Sequence, residues 1–425
     1  MSLSSNEILI GNASVYTLTL LIYYIKNKSF NVGAFLLSLY AITAWASVLF
    51  YNHKWFVGSI HDSQMTIEPF VYLYVVLMLF FYPFLKYNGN EITSIEVPNS
   101  AKFNLIVKTF TLLQIFVILI LLPSVQNVIN STSLSDSRDL VYGESILWFN
   151  NISLLNQIFN YVIGLMPISF GLSFYAFFIM PNKNHWHRIY FFSTILLNVV
   201  NGFAIVSRSE TLFLILVLAC LFLLFRNFLS KEKVNKVKKW TLIIIIPFIL
   251  FFIAVSQSRF GDLTNFMLYK YAGENYINFN GLMYHNLNGT TNGEAYFPLV
   301  KRFLGEKEHR TIAHEKWDFI ETETDVPGYI FYTFAGALCF EFGKLGVFMI
   351  AVVFSLIAGR ILKNTDSISI TKLLFFSVCI YMLVCGIFLF KLQGLQGNLS
   401  IFFMILLMIY FKVGKSEEVI ISSEN

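Results

Sequence analysis

Long apolar runs, separated by short polar stretches, recur along this chain in a rhythm no soluble core could absorb. A helix needs about 20 predominantly apolar residues, at about 1.5 Å each, to cross the hydrocarbon layer of a bilayer. Runs of that order lie near 8–25, 30–51, 69–86, 103–123, 153–180, 189–206, 211–225, 240–256, 345–362, 372–390 and 398–412, which predicts about eleven transmembrane helices. The run at 211–225 is short, and Pro167 inside 153–180 predicts a kink. One stretch breaks the rhythm. From Gln257 to Pro327 charges of both signs mix with tyrosines, asparagines and glycines. The following residues, 328–342, are apolar but too short to span, and predict an interfacial or re-entrant helix stopped near Gly343.

Composition turns the pattern into a class. The 425 residues are 56% hydrophobic and only 13% charged, with a mean hydropathy of +0.65. A soluble domain carries roughly twice that charged fraction. The expected fold is therefore an all-α polytopic membrane protein. Residues 1–425 form one integral membrane domain, and 257–343 form a large loop containing short helices. Cys220, Cys339, Cys379 and Cys385 have no metal-ligand spacing, so neither a disulfide framework nor a zinc site is expected. The polar N-terminus lacks a basic stretch, and no cleaved signal peptide is expected.

The net charge of +5 matters less than where its cations sit. Short cytoplasmic loops are rich in lysine and arginine. The densest cluster is Arg226, Lys231, Lys233, Lys236, Lys238 and Lys239. Placing it inside also puts Lys26 and Lys28, Lys86 and Lys102, Lys183 and Arg188, Arg360 and Lys363, and Lys412 and Lys415 inside. The intervening loops carry few cations: Lys54, Arg138, Arg208 and Lys391. The N-terminus is then expected outside, the C-terminus inside, and the 257–343 loop on the exoplasmic face. At about seventy residues before its apolar end, that loop is too long for a passive connection, and long loops usually carry function.

Arg208, in Val206-Ser207-Arg208-Ser209-Glu210, and Arg259, in Ser256-Gln257-Ser258-Arg259-Phe260, sit at expected outer helix ends, against the charge bias. A guanidinium is permanently charged and can grip phosphate oxygens bidentately, although snorkelling at an interface explains many such arginines. The loop adds Lys301, Arg302, His309, Arg310 and His314 among the acidic Glu306, Glu308 and Glu315. Most of these read as a solvated mixed-charge face. His314 can titrate near neutral pH and move a proton, though a loop histidine is more often plain polar surface. Glu321-Thr322-Glu323-Thr324-Asp325 offers carboxylates that could hold a divalent cation, but plain solvation explains them better. No phosphate-binding loop, dinucleotide fingerprint, HExxH or GxSxG element is present, so nucleotide hydrolysis, hydride transfer and zinc proteolysis lack support. Sequons at Asn12, Asn130, Asn151 and Asn288 matter only in a eukaryotic secretory host.

Many spans, one large late outer loop and arginines at span mouths come together with an acidic-Phe-Gly-x-x-Gly element, Glu341-Phe342-Gly343-Lys344-Leu345-Gly346. With Tyr271-Ala272-Gly273-Glu274-Asn275-Tyr276 and Phe297-Pro298-Leu299, the chain resembles the bacterial O-antigen and capsular polysaccharide polymerases, repeat-unit polymerases of the Wzy type. Aspartate is usual where Glu341 stands, and the likeness covers topology more than sequence. The resemblance implies a GT-C-like glycosyltransferase of the bacterial cytoplasmic membrane. Such an enzyme polymerises undecaprenyl-diphosphate-linked oligosaccharides at the outer face, without metal or other cofactor, beside a chain-length regulator. On that implication Arg208 and Arg259 would bind the diphosphate and stabilise its departure, and Glu274 or His314 would be the base. Arg302, Arg310, Tyr271 and Glu341 would contact substrate. An O-antigen ligase is the nearest alternative. A flippase is the alternative from another class, but transporters tend to show internal repeats and mid-span ionisable groups, which are not evident here. No nucleic-acid partner is expected.

Overall fold

The structure, a computed structural model, describes residues 3–53, 65–87, 92–130, 147–149, 152–181, 184–305, 313–363, 366–413 and 420–422. It is an all-α architecture of the polytopic membrane kind. Among the described residues, seven helices are long and apolar enough to cross a membrane: Ser5–Asn27, Val32–Tyr51, Ile67–Lys86, Ser100–Asn130, Ser209–Phe228, Thr333–Ile361 and Gly394–Lys412. The pair Ser153–Gly164 and Met166–Ile179, bent by 50°, makes an eighth if it is one broken span. The other three expected runs lie on helices His185–Ala204, Lys231–Phe260 and Ile370–Cys385, the last of only 16 residues. The chain divides into two compact units, each assembled from separated stretches.

The first unit comprises Met1–Asn88, Phe260–Lys363 and Met382–Gln393. Its helix α1 (Ser5–Asn27) opens with a capping box: the Glu7 N–H donates to the Ser4 hydroxyl, and the Ser4 N–H donates to Glu7 Oε2 at 2.7 Å. Helix α2 (Val32–Tyr51) follows after four residues and packs against α1 and α3 (Ile67–Lys86). Asn31 caps it by accepting from the Ala34 N–H at 3.0 Å.

The second unit comprises Gly89–Arg259, Asn364–Tyr381 and Gly394–Asn425. Strand β1 (Ser94–Glu96) precedes α4 (Ser100–Asn130), and the bent pair consists of α5 (Ser153–Gly164) and α6 (Met166–Phe174) with one π-helical turn to Ile179. The break falls at Leu165, with Pro167 in the first turn of α6, where its missing N–H costs nothing. Close packing holds the break: a Cβ on Gly164 would lie 2.9 Å from the Gln396 carbonyl oxygen, and the Ser400 hydroxyl donates to the Gly164 carbonyl at 2.7 Å. Helices α7 (His185–Ala204), α8 (Arg208–Phe225) and α9 (Lys231–Phe260) follow. Inside this unit Gln114 of α4 bonds Ser193 and Thr194 of α7 at 2.7–3.2 Å, which satisfies polar groups that lipid could not.

In the first unit the chain resumes with α10 (Thr264–Asn278) and a π-helical turn to Met283, α11 (Pro298–Phe303), α12 (Ala313–Thr324) and α13 (Thr333–Ile361). Gly343 has φ 65°, which breaks α13 where the sequence places a stop, and the helix then continues. Strand β2 (Ser367–Ile368), α14 (Ile370–Cys385), α15 (Gly394–Lys412) and β3 (Ile420–Ser422) complete the order. A small sheet, with β1 parallel to β2 and antiparallel to β3, departs from the purely helical expectation. Three residues are too few to announce a strand by alternation.

Candidate functional site

The polar stretch after Phe260 does not trail through solvent; it folds against α2 and buries its own polar groups. Gly273 makes the approach possible, because a Cβ there would lie 2.3 Å from the Ser47 backbone nitrogen of α2. With α10 pressed that close, the next residues are enclosed: Glu274 is 6% exposed, and Asn275, Asn278 and Asn280 are buried with it. The asparagines are satisfied by backbone carbonyls. Asn278 donates to Phe331 at 3.1 Å, Asn280 to Thr66 at 2.7 Å, and Asn275 to Ile387. Burial pushes the Glu274 carboxyl up to about 7, against the opposing pull of Lys270 and of a hydrogen bond from Asn278.

A second charged centre lies in the same unit. Glu341, just before the break in α13, is 1% exposed; its Oε2 accepts from the Gly293 N–H, while its Oε1 has no hydrogen-bond partner among the described residues. The loop that carries Gly293 is bound to the same helix, the Thr291 N–H donating to the Phe340 carbonyl at 2.8 Å. Positive φ angles at Asn292 and Gly293 let it wrap. Half-buried Lys316, on α12, points its ammonium over the Tyr296 ring at 4.3 Å and donates to Gln393 Oε1 at 2.8 Å. Burial pushes this ammonium down to about 8, and the nearby Glu341 carboxylate resists that fall. The Tyr332 hydroxyl donates to the Pro327 carbonyl at 3.0 Å, and its ring lies 5.4 Å from that of Phe340. Rings of Phe340 and Phe390 flank Tyr296 at 6.4 and 6.3 Å.

The sequence-derived candidates separate on this structure. Glu274 and Glu341 are buried in the first unit. Tyr271 is half-buried between Phe260 and Phe331, with ring centroids 6.1 and 6.3 Å away. His314 is exposed at the start of α12, edge-on to Trp317 at 5.0 Å, and Arg302 is exposed in the last turn of α11. Arg208 opens α8 and Arg259 lies in the last turn of α9, both in the second unit and described by their backbone alone. Arg310, with Glu306, Glu308 and His309, lies outside the described residues. The acidic run 321–325 ends in a turn, where Asn288 donates to Asp325 Oδ2 at 3.2 Å. Among the described residues no three His, Cys, Asp or Glu side chains gather as a metal site. Lys316, Tyr296 and Gln393 escape a reading of the sequence, because a lysine within a mixed-charge helix is indistinguishable from a solvated one. No family model, curated protein or solved structure matches the chain.

Proposed function

We propose that the chain is a glycosyltransferase that polymerises polyprenyl-diphosphate-linked oligosaccharide repeat units at the non-cytoplasmic face of a bacterial cytoplasmic membrane. One observation carries the reading. A long polar insertion in a membrane protein folds so as to bury a carboxyl group poised near 7, Glu274, with aromatic rings, amides and a lysine in the same unit. A general base works best when its pKa lies near the operating pH, and such groups contribute about 10²–10⁴-fold to a rate. Aromatic faces and amides suit sugar rings and hydroxyls, while the donor's lipid tail stays in the bilayer.

On this proposal Glu274, rather than exposed His314, takes the proton of the acceptor hydroxyl. That oxygen forms the new bond to the donor's anomeric carbon, the bond to the diphosphate breaks, and the carrier diphosphate leaves with the electron pair. For Arg208 and Arg259, of the second unit, the proposal that they grip a diphosphate rests on the sequence alone. Deletion of the gene should leave surface glycan as single repeat units, and Glu274→Gln, Arg208→Ala and Arg259→Ala should each fail to restore polymer. Polymer of normal length and yield from all three variants would overturn the reading. Carrier-linked polymer accumulating in the deletion strain would point instead to a ligase.

A further inference from the structure

The junction between α7 and α8, in the second unit, is lined with oxygen atoms and closed by an unusual turn. The Ser207 N–H donates to the Gly202 carbonyl at 2.8 Å and the Val206 N–H to the Phe203 carbonyl at 3.1 Å, the paired bonds of a Schellman motif. Its left-handed position, normally glycine, is held by Val206 at φ 48°. The turn folds the next residues back against Gly202. Around the place a Cβ on Gly202 would occupy stand the Ser207 carbonyl oxygen at 3.2 Å, the Glu210 Cβ at 3.5 Å and the Thr211 hydroxyl at 3.6 Å. Glu210 is 8% exposed.

Two further polar residues lie on the same arc of α7. Asn198 lies one helical turn before Gly202 and Asn201 directly before it, so all three share an arc of about 100° on α7 at 100° per residue. Both asparagines are 6% exposed, and the amide oxygen of each is buried without a hydrogen-bond partner. Orphaned buried acceptors are costly, and two on one helix face, at its carbonyl end, call for a positive ligand. The donor set is wholly oxygen: two amide carbonyls, a backbone carbonyl, a hydroxyl and a carboxylate. That set suits a hard cation. Glu210 brings the one formal charge among these donors and the rest are neutral oxygens, which favours a single positive charge over a double one.

We propose that Asn198, Asn201, Ser207, Glu210 and Thr211 form a binding site for a dehydrated monovalent cation of the sodium or potassium class, which ties the start of α8 to the end of α7. The inference does not depend on the glycosyl-transfer reading. The test uses the full chain purified in detergent, with unfolding followed in NaCl, KCl and choline chloride at one ionic strength, and with radioactive sodium binding at equilibrium. A saturable rise in Tm with one of the alkali ions, absent in choline chloride, is the expected result. Asn198→Ala and Thr211→Val should each raise the half-saturating concentration at least tenfold. Should a variant not fold, ion binding to the unaltered chain decides the matter. Identical melting in all three salts with no saturable sodium binding would overturn the proposal and leave a buried water as the asparagines' partner.

Discussion

Burial gives Glu274 a chemistry that its identity does not announce. Its carboxyl titrates near 7 in the folded chain, against about 4.3 when unfolded. Between those values the folded chain holds the extra proton, so stability is greatest at the acid end of the window and falls as pH rises toward 7, by on the order of 1–3 kcal/mol. Activity should run the other way, since a base must be ionised, and rise through the same window. Glu274→Gln is expected to flatten the fall in Tm between pH 5 and pH 8 and to cost about 10²-fold or more in transfer. An unaltered pH dependence of Tm would show that the carboxyl is not buried as described. Val206 is the converse case, a branched side chain in a left-handed turn that glycine fills more easily. Val206→Gly should stabilise the chain by about 1 kcal/mol, and thermal unfolding in detergent would read the gain. No rule of composition or spacing identifies either residue, because both effects come from what surrounds them.

Among elements, the apolar helices were legible by position, whereas the short helices expected within 257–343 were not placed. The sequence reading places a kink in 153–180 and a stop near Gly343, and the structure has a 50° bend at Leu165 and a left-handed residue at Gly343. Proline and glycine act on their own backbone, which is why they can be read locally. Helix α10 is different, since what places it is backbone contact with α2 at Gly273. Gly273→Ala should push the two helices apart and cost about 1–3 kcal/mol. Gly359→Ala, with nothing within 4 Å of the new carbon, serves as the control and should be near neutral. Equal Tm losses for the two would remove Gly273 from the explanation. The small sheet of β1, β2 and β3 has no sequence signature, because each strand exists only through partners far along the chain.

At the scale of the whole molecule the sequence makes a claim about sidedness. On the lysine and arginine count we propose that 257–343 faces away from the cytoplasm and the 226–239 cluster faces into it. The four native cysteines are buried, so single cysteines added at the surface can report without interference from them. In intact cells a membrane-impermeant maleimide should label Glu315→Cys and leave Glu232→Cys unlabelled until the membrane is opened. The reverse pattern would invert the topology and remove the basis for an outer-face reaction.

Sequence alone determined that this chain lives in a bilayer, where its apolar runs fall, and that one long polar stretch interrupts them. Those properties follow from transfer of side chains between water and lipid, which each segment expresses by itself. Tertiary structure alone decided that part of this polar stretch is interior. It buried Glu274 and Glu341, set Lys316 over Tyr296, and left His314 at the surface. Desolvation and close approach belong to residues brought together from distant parts of the chain, so a lysine or glutamate acquires its charge state only when the fold has chosen its neighbours.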